Sequence, residues 1–335
     1  MIEHKFPLSP AASDLAPWLA GEDVSGIIPL PGWHNSIFRV ETRSSDRFVL
    51  RVHVPSEDAA LVEPTLRVAA AYSKRLAFVN APAPTLAGAL FSSIDGRVAE
   101  LWPYVVGEPG SKDLLHGTAG PAECLAALQQ AGSVVLDEVS DLQPEYWRDM
   151  DWRANRRWSV GSVKAFLLSG NPNVPVDLRP ERLADELEAA TWQVKDELRQ
   201  VDAARMPVIP IHGDFYPSNL VIDAGGVIAA LVDWDDARID WRAWDVANAL
   251  LEFCGGPAGM HLDRACCRNF LEELWSAGGE LNSSEIDALP LLVRARKLDE
   301  LMYGLQEAAD FANGDRDYLR SSISGWGQIR ELKYL

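Results

Sequence analysis

Cysteine is scarce: Cys124, Cys254, Cys266 and Cys267 are the only four in 335 residues. No Cys-x-x-Cys pair and no Cys/His cluster at zinc spacing occurs, so neither a dithiol redox motif nor a structural zinc site is expected. The adjacent Cys266 and Cys267 read as helix packing, and unpaired thiols imply a reducing cytoplasm. No apolar run approaches the ~18 residues that cross a bilayer, and the N-terminal residues Met1–Pro7 lack the apolar core of a secretory leader. The expectation is a soluble cytoplasmic protein with no membrane partner. Basic residues are outnumbered, with Lys+Arg 31 against Asp+Glu 49 and a net charge of −18. Such a chain repels nucleic acid and attracts cationic small molecules, although acidity also serves plain solubility. Walker-type and Gly-x-Gly-x-x-Gly sequences, internal repeats and low-complexity tracts are all missing.

What remains is ample for a core: 47% of the residues are hydrophobic, and the length suits one large two-lobed unit or two ordinary domains. The informative stretch runs from Ile211 to Asp233. His212, Gly213 and Asp214 are followed five residues later by Asn219, then by the β-rich run Leu220–Ile222, the turn Asp223–Gly226 and a second β-rich run ending at Asp233. The turn predicts an antiparallel hairpin. Its open end would bring Asn219 beside Asp233, with Asp214 on the incoming loop. Each residue alone has an ordinary reading: a capping Asp, a hairpin turn, an N-cap. Three polar groups at coupled positions have no shared structural reason.

The set suits phosphoryl transfer. Mg²⁺ prefers hard oxygen ligands and is held by few protein groups plus substrate phosphates. Asn219 and Asp233 can supply such oxygens, and Asp214 can accept the proton of an attacking hydroxyl. Kinases space an Asp, an Asn and a metal-binding Asp in the same way.

On these residues the chain resembles the aminoglycoside phosphotransferase and choline kinase group of small-molecule kinases. The matching segments are His212-Gly213-Asp214 with Asn219, Val232–Ala237, and Asp245 on the following helix. The resemblance implies an α+β, protein-kinase-like two-lobe fold, with an N-terminal antiparallel sheet plus a helix and a mostly helical C-terminal lobe. It implies domains at 1–106 (nucleotide-covering) and 107–335 (catalytic and acceptor-binding). It also implies Mg²⁺ as cofactor, ATP or GTP as co-substrate, Asp214 as catalytic base, and Asn219 and Asp233 as metal ligands. Asp245 would be buried and would brace the His212–Asp214 loop; Asp235 would assist a second metal ion or cap a helix.

Further positions follow from the same resemblance. The turn holding Gly32, Asn35 and Ser36 falls where the family covers phosphates, and the motif is weak on its own. Arg51, on the strand Arg47–Val52, stands where the family has a nucleotide-binding Lys. It keeps the charge but replaces a point ammonium with a planar fork. Glu57 or Glu63, at the start of a helix expected over 57–78, would pair with it. Trp102 and Tyr104 lie on the connector that would hold the adenine.

Helices are also expected over 123–139, 145–158, 181–204, 241–253, 261–277, 284–311 and 315–335, with Ser283 or Ser284 as a cap. The Arg/Trp-rich stretch 147–158 and the Gly/Pro-rich 169–180 fall where the family varies, which suits an acceptor pocket. An acidic wall of Glu300, Glu307 and Asp310 is weighed against a solvated helix face. The acceptor stays open: an aminoglycoside-like or other antibiotic, or homoserine, choline or a sugar. A nucleotide-binding pseudokinase acting as an interaction module is the rival outside catalysis.

Overall fold

The computed structural model describes residues 8–19, 23–31, 35–146, 149, 160–171, 174, 179–255, 261–310 and 316–334. Gly32 and most of the Arg/Trp stretch lie outside them. In chain order the strands are β1 (Val24–Leu30), β2 (Ser36–Thr42), β3 (Arg47–Val52), β4 (Ser92–Ile94), β5 (Arg97–Pro103), β6 (Glu108–Pro109), β7 (Val208–Ile211), β8 (Leu220–Ile222), β9 (Ile228–Leu231) and β10 (Arg238–Trp241). The helices are α1 (Ala59–Ser73), α2 (Lys112–Leu115), α3 (Gly120–Glu138), α4 (Val160–Leu168), α5 (Pro180–Gln200), α6 (Ala243–Phe253), α7 (Arg264–Ser276), α8 (Ser283–Asp310) and α9 (Arg316–Ile329). The chain divides into two compact units, one built from 1–109, 137–142 and 219–238, the other from 110–136, 143–218 and 239–335.

The first unit is built on a five-stranded antiparallel sheet in the order β1-β2-β3-β5-β4. Alternation sorts its side chains by face. Phe38, Val40, Leu50, Val52, Ala99 and Leu101 join Leu15 and Trp18 in one core. On the other face Val98 and Trp102 pack against Val62 and Leu66 of α1. Arg51 lies directly opposite Glu100 on β5. Helix α1 is shorter than expected at both ends. Asp58 caps it by accepting from the Ala60 and Leu61 amides at 3.0 and 3.2 Å, whereas Glu57 turns back to His53. Beyond Ser73 the chain leaves the helix, and Val79 makes a bridge to Leu231.

The hairpin β8–β9 also belongs to this unit. Leu220 pairs with Leu231, and the Val232 amide donates to the Asn219 carbonyl at 2.8 Å. Asp223 shapes the turn by accepting from the Gly225 and Val227 amides. At Gly107 a Cβ would stand 2.5 Å from the Ile222 carbonyl oxygen, so no larger residue fits that approach.

A buried charge cluster sits under the sheet. His53 Nδ1 is 2.6 Å from Glu57, and its Nε2 is 3.4 Å from Glu100. Burial alone would push the imidazole down. Attraction from Glu100 and the hydrogen bond to Glu57 outweigh it and raise the pKa to about 10. The folded value lies above the ordinary one, so the stabilisation is complete below about pH 6.5 and is lost as pH climbs through about 10. The urea midpoint should therefore fall between pH 7 and pH 10, and His53→Gln should flatten that slope. An equally steep slope in the variant would assign it to other groups.

The second unit is mostly helical, with α8 packed against α5, α6 and α9, and β7 pairs with β10 in a two-stranded sheet. Neither strand is expected from the sequence, and β10 takes Trp241 from the helix predicted to begin there. All four β10 residues are buried, so no alternation marks them. Every residue of α6 is buried. Its start is tied to α8 by Arg242, whose Nε and Nη2 each donate to Glu285 at 2.8 Å. The cap of α8 is Asn282 rather than a serine. Its side chain accepts from the Glu285 amide while Glu285 accepts from the Asn282 amide, a reciprocal capping box. All four cysteines are free and buried. Among the described residues no helix is long and apolar enough to cross a membrane.

Candidate active site

In the second unit the loop after β7 presents Asp214. Gly213 has φ +82°, a left-handed conformation that glycine adopts without strain. The buried Asp245 of α6 accepts from two successive amides, Oδ2 from His212 at 2.8 Å and Oδ1 from Gly213 at 2.9 Å. His212, fully buried, accepts from the Asp214 amide through Nδ1 at 3.3 Å. That bond places the ring proton on Nε2. Phe215 is also fully buried and packs on Phe253, centroids 5.6 Å apart. The loop is thus fastened on both sides of Asp214, whose own side chain stays 30% exposed.

Arg296 of α8, absent from the sequence-based expectations, donates to Asp214 Oδ1 at 2.7 Å, to Asn248 Oδ1 at 2.7 Å and to Asp299 Oδ2 at 2.9 Å. Burial works against its charge, yet Asp214 and Asp299 hold its pKa raised. Glu252, buried, meets Lys112 Nζ at 2.8 Å. Asp245, Asn248 and Glu252 fall at i, i+3 and i+7, one stripe of α6. A polar stripe in an otherwise apolar helix was the available signal for the last two. Glu300 is paired with Lys297 at 2.8 Å, so it is not a lone member of an acidic wall; the side chains of Glu307 and Asp310 lie outside the description.

In the first unit Arg51 organises the acidic residues. Its Nη2 reaches Asp233 Oδ1 at 3.0 Å, its Nη1 Asp235 Oδ1 at 2.5 Å, and its Nε lies 3.6 Å from Glu100. The helix carboxylates expected as its partners are not: Glu63 is exposed, near Arg67, and Glu57 serves His53. The strand neighbour Glu100 takes that place because β3 and β5 pair in register.

Asn35 is buried and bridges, accepting from the Val54 amide at 3.2 Å and donating to Asp235 at 3.0 Å. Ser36, also buried, is 3.4 Å from Arg97 Nη2. Trp102 is half-buried against α1. Tyr104 lies under the Arg47 guanidinium, 4.9 Å from ring centre.

Asn219 is buried and stands at the hairpin's open end, one residue across from Asp233. Asp233 itself has φ +64°, a left-handed backbone in a residue with a Cβ, which costs about 1–2 kcal/mol. Ligand atoms of His53, Glu100 and Asp235 approach within 4.8 Å of one another. Arg51 already brings its charge to that trio.

The model of the phosphotransferase enzyme family matches residues 26–281. The chain belongs to this family. A homoserine kinase of Rhodopseudomonas palustris (strain BisB18) is 26% identical over 312 residues, covering 91% of this chain and 87% of that protein. Among solved structures, an amicoumacin kinase in complex with AMP-PNP, Ca²⁺ and Ami superposes with a TM-score of 0.65 at 12% identity, over 94% of this chain and 89% of that one. A spectinomycin phosphotransferase in complex with ADP and spectinomycin gives 0.61 at 16% identity, over 92% and 95%. The phosphotransferase is therefore a small-molecule kinase with the protein-kinase-like fold.

Proposed function

We propose that the protein moves the γ-phosphoryl group of ATP to a hydroxyl of a small hydroxy amino acid, homoserine foremost. The observation that carries the reading is the loop held by Asp245, which fixes the Asp214 backbone while leaving its carboxylate partly exposed. Asp214 orients the acceptor hydroxyl and takes its proton as the oxygen attacks phosphorus.

Asn219 and Asp233 suit a hard cation by their donor chemistry. The cluster around Arg51 also has the right charge: Arg51 and His53 face Glu57, Glu100, Asp233 and Asp235, an excess of two negative charges that one Mg²⁺ would neutralise. When bound, Mg²⁺ offsets the charge of the phosphates. Arg51, engaged with Asp233 and Asp235, is the protein's cation for those same phosphates.

One feature favours homoserine over the antibiotics: the relatives named homoserine kinase match over 91% and 97% of this chain. The second reading, an antibiotic acceptor, draws on the acidic composition and on fold neighbours alone.

An acceptor panel tests this. ADP release from Mg²⁺·ATP or Mg²⁺·GTP should depend on added acceptor, and homoserine should exceed choline, a sugar and an aminoglycoside. Nucleotide binding without acceptor-dependent release from any of them would favour the interaction-module alternative.

A further inference from the structure

We propose that Arg296 is a positioning residue that orients the Asp214 carboxylate and sets its proton affinity; this rests on the reading of Asp214 as the base. A guanidinium is a rigid plane of five donors. Here three of its nitrogens serve three different residues: Asp214 Oδ1 at 2.7 Å, Asn248 Oδ1 at 2.7 Å and Asp299 Oδ2 at 2.9 Å. Its side chain is 9% exposed. Burying an arginine beside carboxylates contributes little net stability, because desolvation offsets the attraction. Stability alone therefore gives weak reason for an arginine at this spot.

The anchoring explains what it does. Asn248 is fully buried on α6, three residues from Asp245. The same helix thus holds the backbone of the catalytic loop through Asp245 and its carboxylate through Asn248 and Arg296. Helix α6, with Arg296 of α8 braced against its Asn248, fixes both ends of the Asp214 side chain, which removes rotamer freedom from the group that must meet the hydroxyl.

Asp299 has a separate task. A cation devoted to Asp214 would hold the carboxylate strongly in its charged form and weaken it as a base. Sharing the guanidinium with Asp299 leaves the orientation intact and reduces that penalty.

The two neighbours should accordingly move the acid limb of the pH profile in opposite directions. Arg296→Gln removes the cation and shifts the limb of kcat/KM to higher pH; Asp299→Asn leaves it shared only with Glu252 and Glu300, which also attract Arg296 and are unchanged in both variants, and shifts the limb to lower pH, each by about one unit. Arg296→Lys keeps the charge and loses the fork. It should lower kcat by about 10-fold or more while KM for ATP stays within about two-fold. In an Asp214→Asn background the same lysine substitution should cost less than about two-fold, because residues acting as one device are not additive.

All variants are made in the full chain, with circular dichroism to confirm folding. Should Arg296→Gln fail to fold, Arg296→Lys and Asp299→Asn still decide. An Arg296→Lys kcat within two-fold of wild type overturns the proposal, and so does an equal loss in the Asp214→Asn background or an Asp299→Asn limb that does not move down. Wild-type protein inactive with every acceptor would instead overturn the phosphotransfer reading itself.

Discussion

Asp214→Asn should lower kcat by about 10²–10⁴-fold, the range a general base contributes. The amide has nearly the same shape and can still accept from Arg296 through its oxygen, so the loop retains its anchors. What it cannot do is take a proton. ATP affinity, followed by calorimetry in the presence of Mg²⁺, should stay within about two-fold. Turnover near wild type would remove Asp214 from the chemistry. Lost turnover together with lost nucleotide binding would mean that the substitution disturbed more than the base.

Asp245→Ala should be the most destabilising single change at the site. Its carboxylate accepts from the buried His212 and Gly213 amides. Hydrogen bonds to a charged group contribute about 1.5–3 kcal/mol each, and a buried amide left without a partner costs its desolvation as well. A loss of about 3–6 kcal/mol follows, a large share of the 5–15 kcal/mol typical of a domain. Asp245→Asn should fare little better, since its NH₂ would face an N–H. The urea midpoint reads the effect directly, and kcat should fall with it because Gly213 would no longer be held in its turn. A midpoint unchanged in the alanine variant would show that the two amides find other acceptors.

The parts legible in the sequence were those that announce themselves locally. A turn of Asp-Ala-Gly-Gly between β-rich runs marked the β8–β9 hairpin, and chemistry-bearing residues at its ends marked themselves. The short buried strands β7 and β10 show no alternation, so nothing separated them from loop or helix. The cap of α8 was legible but misassigned: Asn282 followed by Glu285 satisfies a capping box, whereas the adjacent serines drew the prediction. Arg51's partner depended on strand order. Once β3 and β5 are neighbours in register, Glu100 is opposite it without any helix. Arg296 could not be read at all. The run Arg294–Glu300 looks like a solvated helix face, and only tertiary packing reveals which of its charges points inward.

The left-handed backbone at Asp233 has an implication for how freely this protein can drift. Gly and Asn tolerate that conformation, whereas a side chain branched at Cβ would be badly strained. Pairing with Arg51 demands a carboxylate. Glutamate meets the second demand but lacks the short polar side chain that eases the first; glycine meets the first and fails the second. Aspartate serves both, so position 233 offers mutation few neutral neighbours.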